Sequence, residues 1–171
     1  MKTTEKQFVW KFRFFAVWQE GKETGWLKSM SARGWHLKRV VFLFYQFEKG
    51  EPRDYEYSHD FRIENKTDLE DYRALVEDTG WQYIDHMGSW QYFRIDAAKA
   101  KDASIYSDQE SLKGMYQRVL WLLAISGLPL FIFILNGGLE RPGFIYNLVG
   151  VMVLLILYAI IRVGLLMMKA R

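Results

Sequence analysis

The sequence predicts an α+β domain made of two consecutive β-α-β-β units, followed by a two-helix transmembrane hairpin. Three observations predict it. Charged residues become scarce after Arg118, and Gly-Trp pairs recur at Gly34-Trp35 and Gly80-Trp81. Around each pair, apolar periodicity switches between two and about 3.6 residues in the same order. Aligned at a constant offset of 46, Trp26 meets Tyr72, Met30 meets Val76, Leu37 meets Tyr83, Phe44 meets Trp90 and Phe47 meets Phe93.

The first unit, about residues 7–50, opens with a strand over Val9 to Phe15. A helix over Thr24 to Arg33 places Trp26, Leu27 and Met30 on one face. Gly34 then occupies the position after the helix, where a positive φ is needed and only glycine adopts it freely. Strands over His36 to Val41 and Phe44 to Lys49 follow, closed by the turn Gly50-Glu51-Pro52.

The second unit, about residues 54–96, starts with Tyr55 to Arg62, where Tyr55, Tyr57, His59 and Phe61 share a face at period two. A helix over Asp68 to Thr79 is expected to bury Leu69, Tyr72, Leu75 and Val76, with Thr67 or Asp68 as its N-cap. Gly80 stops it. Trp81 to Asp85 and Ser89 to Ile95 pair across a turn at His86-Met87-Gly88. Two such units imply helices on one face of a mainly antiparallel sheet, resembling a ferredoxin-like fold with an extra strand per half. The domain spans 1–96. Small, polar Ala97 to Ser104 begins a linker over 97–118, in which Ser107-x-x-Glu110 matches a capping box opening a juxtamembrane helix.

Within 119–171, Val119 to Leu135 and Phe144 to Ile161 are uncharged. At about 1.5 Å per residue they cover roughly 25 and 27 Å, close to the hydrocarbon core of about 30 Å once flanking residues are added. Asn136, Gly137, Gly138, Pro142 and Gly143 suit a tight turn between them. Lys113 and Arg118 precede the first span, Arg162, Lys169 and Arg171 follow the second, and only Arg141 stands in the turn. The positive-inside rule therefore places both termini and the domain in the cytoplasm, with the chain multi-pass in the cell membrane. Pro129 is expected to kink the first span, and Asn147 is an amide through which the hairpin could self-associate into a homo-oligomer. Neither span carries an acid or histidine, which leaves a conduit without a proton carrier. The first apolar stretch, Phe8 to Trp18, is interrupted by Lys11 and Arg13 and reads as a strand rather than a signal peptide.

The net charge of +3 does not point to nucleic acid. Residues 1–118 hold 19 Lys/Arg and 19 Asp/Glu, so the excess lies in the hairpin. A duplex-binding domain needs basic charge concentrated on one face, and direct nucleic-acid binding is not expected. With no cysteine, disulfides, thiolate catalysis and Cys-ligated metals are excluded. His36, His59 and His86 have no metal-ligand spacing, and His59-Asp60 and Asp85-His86 are strand neighbours that point to opposite faces. No phosphate-binding glycine loop or nucleophile elbow occurs, and Ser29, Ser58 and Ser89 have no identifiable base. No catalytic residue, cofactor site or metal site is assigned, and an enzyme is not expected.

Aromatic residues make up 17% of the chain. Trp35, Trp81, Tyr45, Phe47, Tyr92 and Phe93 suit a tightly packed core. Alternatively, some strand aromatics form an open face for a ligand or partner, with Tyr45, Phe47, Tyr55 and Tyr57 as first candidates.

The blocks Gly34-Trp35-His36-Leu37, Phe47-Glu48-Lys49-Gly50, Asp54-Tyr55, Gly80-Trp81 and Trp90-Gln91-Tyr92-Phe93, followed by an apolar hairpin, resemble the DUF2812 family over nearly the whole chain. These are bacterial proteins, mostly from Firmicutes, whose genes commonly lie beside PadR-like transcription regulators. The resemblance implies a regulatory role and supplies no catalytic residues. The expected function is a membrane-anchored cytoplasmic sensory or regulatory module, with the lipid bilayer and a protein partner as its contacts and a PadR-like regulator as one candidate. The alternative is a ligand- or lipid-binding accessory subunit of a membrane transporter.

Overall fold

The structure, a computed structural model, describes residues 6–100, 105, 109–138 and 143–169. The chain divides into two compact units, Met1–Ser107 and Asp108–Arg171.

The first unit contains β1 (Phe8–Phe12), a 3-10 turn (Val17–Gln19), α1 (Glu20–Ser31), β2 (Trp35–Val41), β3 (Phe44–Lys49), β4 (Tyr55–Phe61), α2 (Lys66–Asp78), β5 (Gln82–Met87) and β6 (Trp90–Asp96). The strands divide between two antiparallel three-stranded sheets, ordered β1-β3-β2 and β4-β6-β5. This differs from one sheet with both helices on one face. The inner edge strands β2 and β5 lie side by side without pairing, and the Val40 N–H donates to the Asp85 side chain, Oδ2, at 2.8 Å. Each edge carries an irregularity, between Leu37 and Arg39 and between Tyr83 and Asp85. Such bulges interrupt the ladder a continuous sheet would need.

The helices lie on opposite faces of the second sheet. α1 packs on the first sheet through Leu27, Met30, Leu37, Val40, Tyr45 and Phe47, and that same core takes in Tyr57 and Tyr92 from the second. The other face of the second sheet is closed by α2, with Val76, Trp81, Phe93 and Ile95 forming a separate core. Alternation along β6 explains this: Tyr92 points to α1 and Phe93 to α2.

Local details refine the sequence reading. α1 begins at Glu20 rather than Thr24, because the 3-10 turn feeds directly into it. α2 is capped by Asn65, whose Oδ1 accepts the Asp68 N–H at 3.0 Å, rather than by Thr67 or Asp68. Leu75 is 66% exposed and does not join the buried stripe, while Val76 beside it does. The β5–β6 turn lies at Gly88-Ser89, one step beyond the expected His86-Met87-Gly88. Gly34 takes φ +77° as expected, and a Cβ there would stand 2.5 Å from the Gly50 carbonyl oxygen. Of the expected linker, 97–100 form a turn in which the Ala97 N–H donates to the Asp54 carbonyl at 2.9 Å. Ser107 of the expected capping box lies outside the described residues.

In the second unit, α3 (Gln109–Phe133) contains Pro129 and runs into Ile134–Gly138, where Asn136 and Gly137 leave helical geometry, Gly137 at φ +77°. α4 (Phe144–Lys169) packs back along it. Gly127 lets the helices approach, since a Cβ there would stand 3.0 Å from Ile156 Cγ2. Phe133 stacks on Tyr146 at 5.8 Å near the turn. Leu112–Gly137 and Phe144–Lys169 are long and apolar enough to cross a membrane. Only 6% and 11% of their apolar windows are buried, unlike core helices of a soluble fold.

Candidate functional site

Two features of the first unit bear on function: a polar centre buried under α1, and an uncovered aromatic face on the first sheet. The polar centre begins with Glu23, a buried acid on the helix face turned to both sheets. Its Oε1 accepts the Tyr45 hydroxyl at 2.8 Å and the Tyr92 hydroxyl at 3.0 Å, and its Oε2 lies 3.4 Å from His59 Nε2. Thus α1, β3, β4 and β6 all converge on one carboxylate. Burial pushes the Glu23 carboxyl up, but the hydrogen bond and charge of His59, with the two tyrosine hydroxyls, outweigh it and hold it below the ordinary range. Burial pushes the His59 imidazole down, but Glu23 above all, then Glu20 and Asp60, hold it above its ordinary value. Burial also drives the Tyr45 and Tyr92 hydroxyls upward, so they remain donors.

This arrangement is a buried ion pair stapling the first β-α-β-β segment to the second. Beside it lies a cavity of about 60 Å³ lined by Phe15, Tyr45, Trp90 and Tyr92, with Glu23 and His59 among its walls. Both Glu23 oxygens are engaged, so the site offers no unoccupied base to a substrate. No group of three or more metal-ligating side chains occurs among the described residues.

His59 and Asp60 do point to opposite faces. Asp60 Oδ2 accepts from Arg62 Nε at 2.6 Å and from the Tyr72 hydroxyl at 2.9 Å on the α2 side. Nearby, Arg73 donates twice to Gln91 Oε1, at 3.0 and 2.6 Å, and its guanidinium lies over Tyr83. His36 belongs to a third network. Its Nε2 must donate to the Glu51 carbonyl at 2.8 Å, which leaves Nδ1 to accept from the Ser31 hydroxyl at 3.2 Å. Ser31 Oγ lies 2.6 Å from the Tyr57 hydroxyl and has no exposed surface, so this Ser-His pair is not presented to a substrate. Sequence reading missed the pair because its members lie on either side of a helix end.

The four aromatic candidates occupy different places. Tyr45, Phe47 and Tyr57 are buried under α1, and Tyr45 also lines the cavity. Tyr55 is half-buried, edge-on to His36, with the Arg94 guanidinium over its ring. The open face of the first sheet has the opposite parity. Phe8, Trp10 and Phe12 on β1 and Phe44 on β3 are 48%, 47%, 64% and 47% exposed. Phe12 pairs with Phe44, their rings 5.4 Å apart, and Val41 stands across from Phe44 on β2. Phe14 and Phe42, beyond the strand ends, are also exposed, and Phe42 is among the residues that line the cavity under α1. Because β1 carries its aromatics on one face and β3 carries Tyr45 and Phe47 on the other, their sequence does not reveal which face is open.

The family described as Protein of unknown function (DUF2812) matches residues 19–128, from the 3-10 turn into the first apolar helix. The chain belongs to the DUF2812 family. No curated protein and no solved structure matches it. The matched segment covers α1, the three polar networks and all of the strands except β1. Phe8, Trp10 and Phe12 therefore lie outside the part by which this DUF2812 protein is recognised, while Phe42 and Phe44 lie within it.

Proposed function

We propose that this DUF2812 protein is a membrane-anchored regulatory module whose cytoplasmic domain binds a protein partner. The observation that carries this reading is the aromatic face of the first sheet. A contiguous cluster of half-exposed Phe and Trp side chains marks an interaction site rather than an ordinary surface. Two features support the anchor. The C-terminal helices have the length and composition of spans, and the basic residues flanking them outnumber those in the turn, favouring cytoplasmic termini. Equal strand orders in the two sheets, with Gly34 and Gly80 both at positive φ, support a duplicated β-α-β-β origin for the domain. A PadR-like transcription regulator remains the candidate partner that the family resemblance suggests.

A second reading, an accessory subunit of a membrane transporter, is favoured by one observation. Between α3 and α4 an apolar groove of about 230 Å³ is lined by Leu123, Gly127, Phe131, Val153 and Ile156, suited to a lipid tail or a neighbouring helix. Replacing 109–171 with an unrelated two-span anchor separates the readings. The regulatory module retains partner recovery from solubilised membranes and its transcriptional phenotype. An accessory subunit loses function, and that loss would contradict the proposal.

A further inference from the structure

The strand registers make the open face equivalent to a face the same chain has already covered. In the first sheet Phe8 pairs with Glu48, Trp10 with Gln46 and Phe12 with Phe44. In the second, Tyr57 pairs with Arg94, His59 with Tyr92 and Phe61 with Trp90. Since β3 and β6 correspond at an offset of 46, the residues equivalent to Phe8, Trp10, Phe12 and Phe44 are Tyr57, His59, Phe61 and Trp90. β1 and β4 then correspond at an offset of 49. The difference of three is the 3-10 turn before α1, which has no counterpart before α2.

On the second sheet this face is covered by a helix. α1 sets Glu23 against Tyr92 and His59 and Ser31 against Tyr57, leaving Tyr57, His59 and Phe61 only 3–4% exposed. On the first sheet no element among the described residues of this unit covers it, and its aromatics are about half-exposed. The charges around it complement an acid-bearing helix: Lys38 and Arg39 are exposed on β2, with Arg39 across from Gln46, while Glu48 is already engaged by Lys6 at 2.8 Å. Phe42, at the hairpin position equivalent to Gly88, holds φ +54° beside Gly88's +58° and lines the cavity on the α1 side, so it is not counted in this face.

We propose that the face formed by Phe8, Trp10, Phe12 and Phe44 docks an amphipathic helix of a partner protein, its apolar stripe flanked by acidic residues. This deepens the proposed function and rests on it. The partner helix lies across β1 and β3 as α1 lies across β4 and β6, its acids beside Arg39 and Lys38.

The test is photo-crosslinking of the full chain in its native membrane, with p-benzoylphenylalanine placed singly at Phe12, Phe44 and, on the exposed side of α2, Leu75. Adducts from positions 12 and 44 are expected to map by mass spectrometry to one helical segment of another protein bearing Asp or Glu beside its apolar stripe. Arg39→Glu should lower their yield about fivefold. Adducts only to lipid, to a second copy of this chain or to an extended segment would overturn the proposal. If position 75 captures a protein while 12 and 44 capture none, helix docking falls and the partner-binding reading stands. If no position captures a protein, both fall.

Discussion

Glu23 shows how one residue can govern the behaviour of this domain. An isolated buried carboxylate is costly, so its retention depends on His59 and on the two tyrosine hydroxyls that meet it. Glu23→Gln removes the charge but leaves His59 buried, at a cost of about 3 kcal/mol in urea unfolding. It should also drop the His59 pKa below 6.5, which an NMR titration of the imidazole would read directly; an unchanged value would show that Glu23 does not hold the proton there. The pH dependence has a definite sign. His59 is raised in the folded state, so its contribution is full below 6.5 and is lost as pH climbs through its elevated value. Glu23 is lowered, so its contribution is present above 4.5 and is lost as pH falls through its depressed value. Melting temperature should therefore decline on both sides of the interval between these limits, and the alkaline decline should vanish in Glu23→Gln. Phe42 works in the other direction. Relieving its left-handed backbone with Phe42→Gly should stabilise the isolated chain by about 1 kcal/mol. A loss of stability would mean that the Phe42 ring contributes packing that outweighs its strain.

At the scale of elements, the sequence and the structure part company over α1. Its Gly34 stop and the strands around it follow from periodicity and glycine position, as does the stop of α2 at Gly80, whereas both helices start earlier than the periodicity suggests, at Glu20 and Lys66. The division into two sheets was not legible, because α1 uses a second face. Glu23 and Ser31 are polar, so an apolar-stripe reading assigns them to solvent, whereas they meet tyrosines and a histidine across the second sheet. The buried histidine was equally hidden: nothing local to His59 announces an acid 36 positions earlier in the chain. β1 and β3 defeat the alternation rule for a related reason. Aromatics at Phe8, Trp10 and Phe12 and at Tyr45 and Phe47 populate opposite faces, and only the placement of α1 decides which is open. α2 provides a direct check of helix orientation. Leu75→Gln should change stability by less than about 0.5 kcal/mol, whereas Phe93→Ala, at a site with no exposed surface, should cost about 3–5 kcal/mol. Equal effects would mean that α2 is rotated on its sheet.

At the scale of the whole molecule, the division of labour is between a hairpin suited to lipid and a domain with one unfinished face. The chain contains no cysteine, so single cysteines report topology cleanly. Cysteines at Lys22 and at Lys169 should resist a membrane-impermeant maleimide in intact cells and react after lysis, and one at Arg141 should react in intact cells. The reverse pattern would place the domain outside. The central claim is that the outer face of the first sheet is open in the isolated chain and covered by a partner in the membrane. Hydroxyl-radical footprinting, read residue by residue, tests it most directly. In the purified full chain, Trp10, Phe12 and Phe44 should be labelled readily while Tyr45, Phe47 and Tyr57 are spared, and in native membranes the first group should become protected. Labelling of Tyr45 and Phe47 in place of Trp10 and Phe12, or an outer face as reactive in native membranes as in the purified chain, would contradict it.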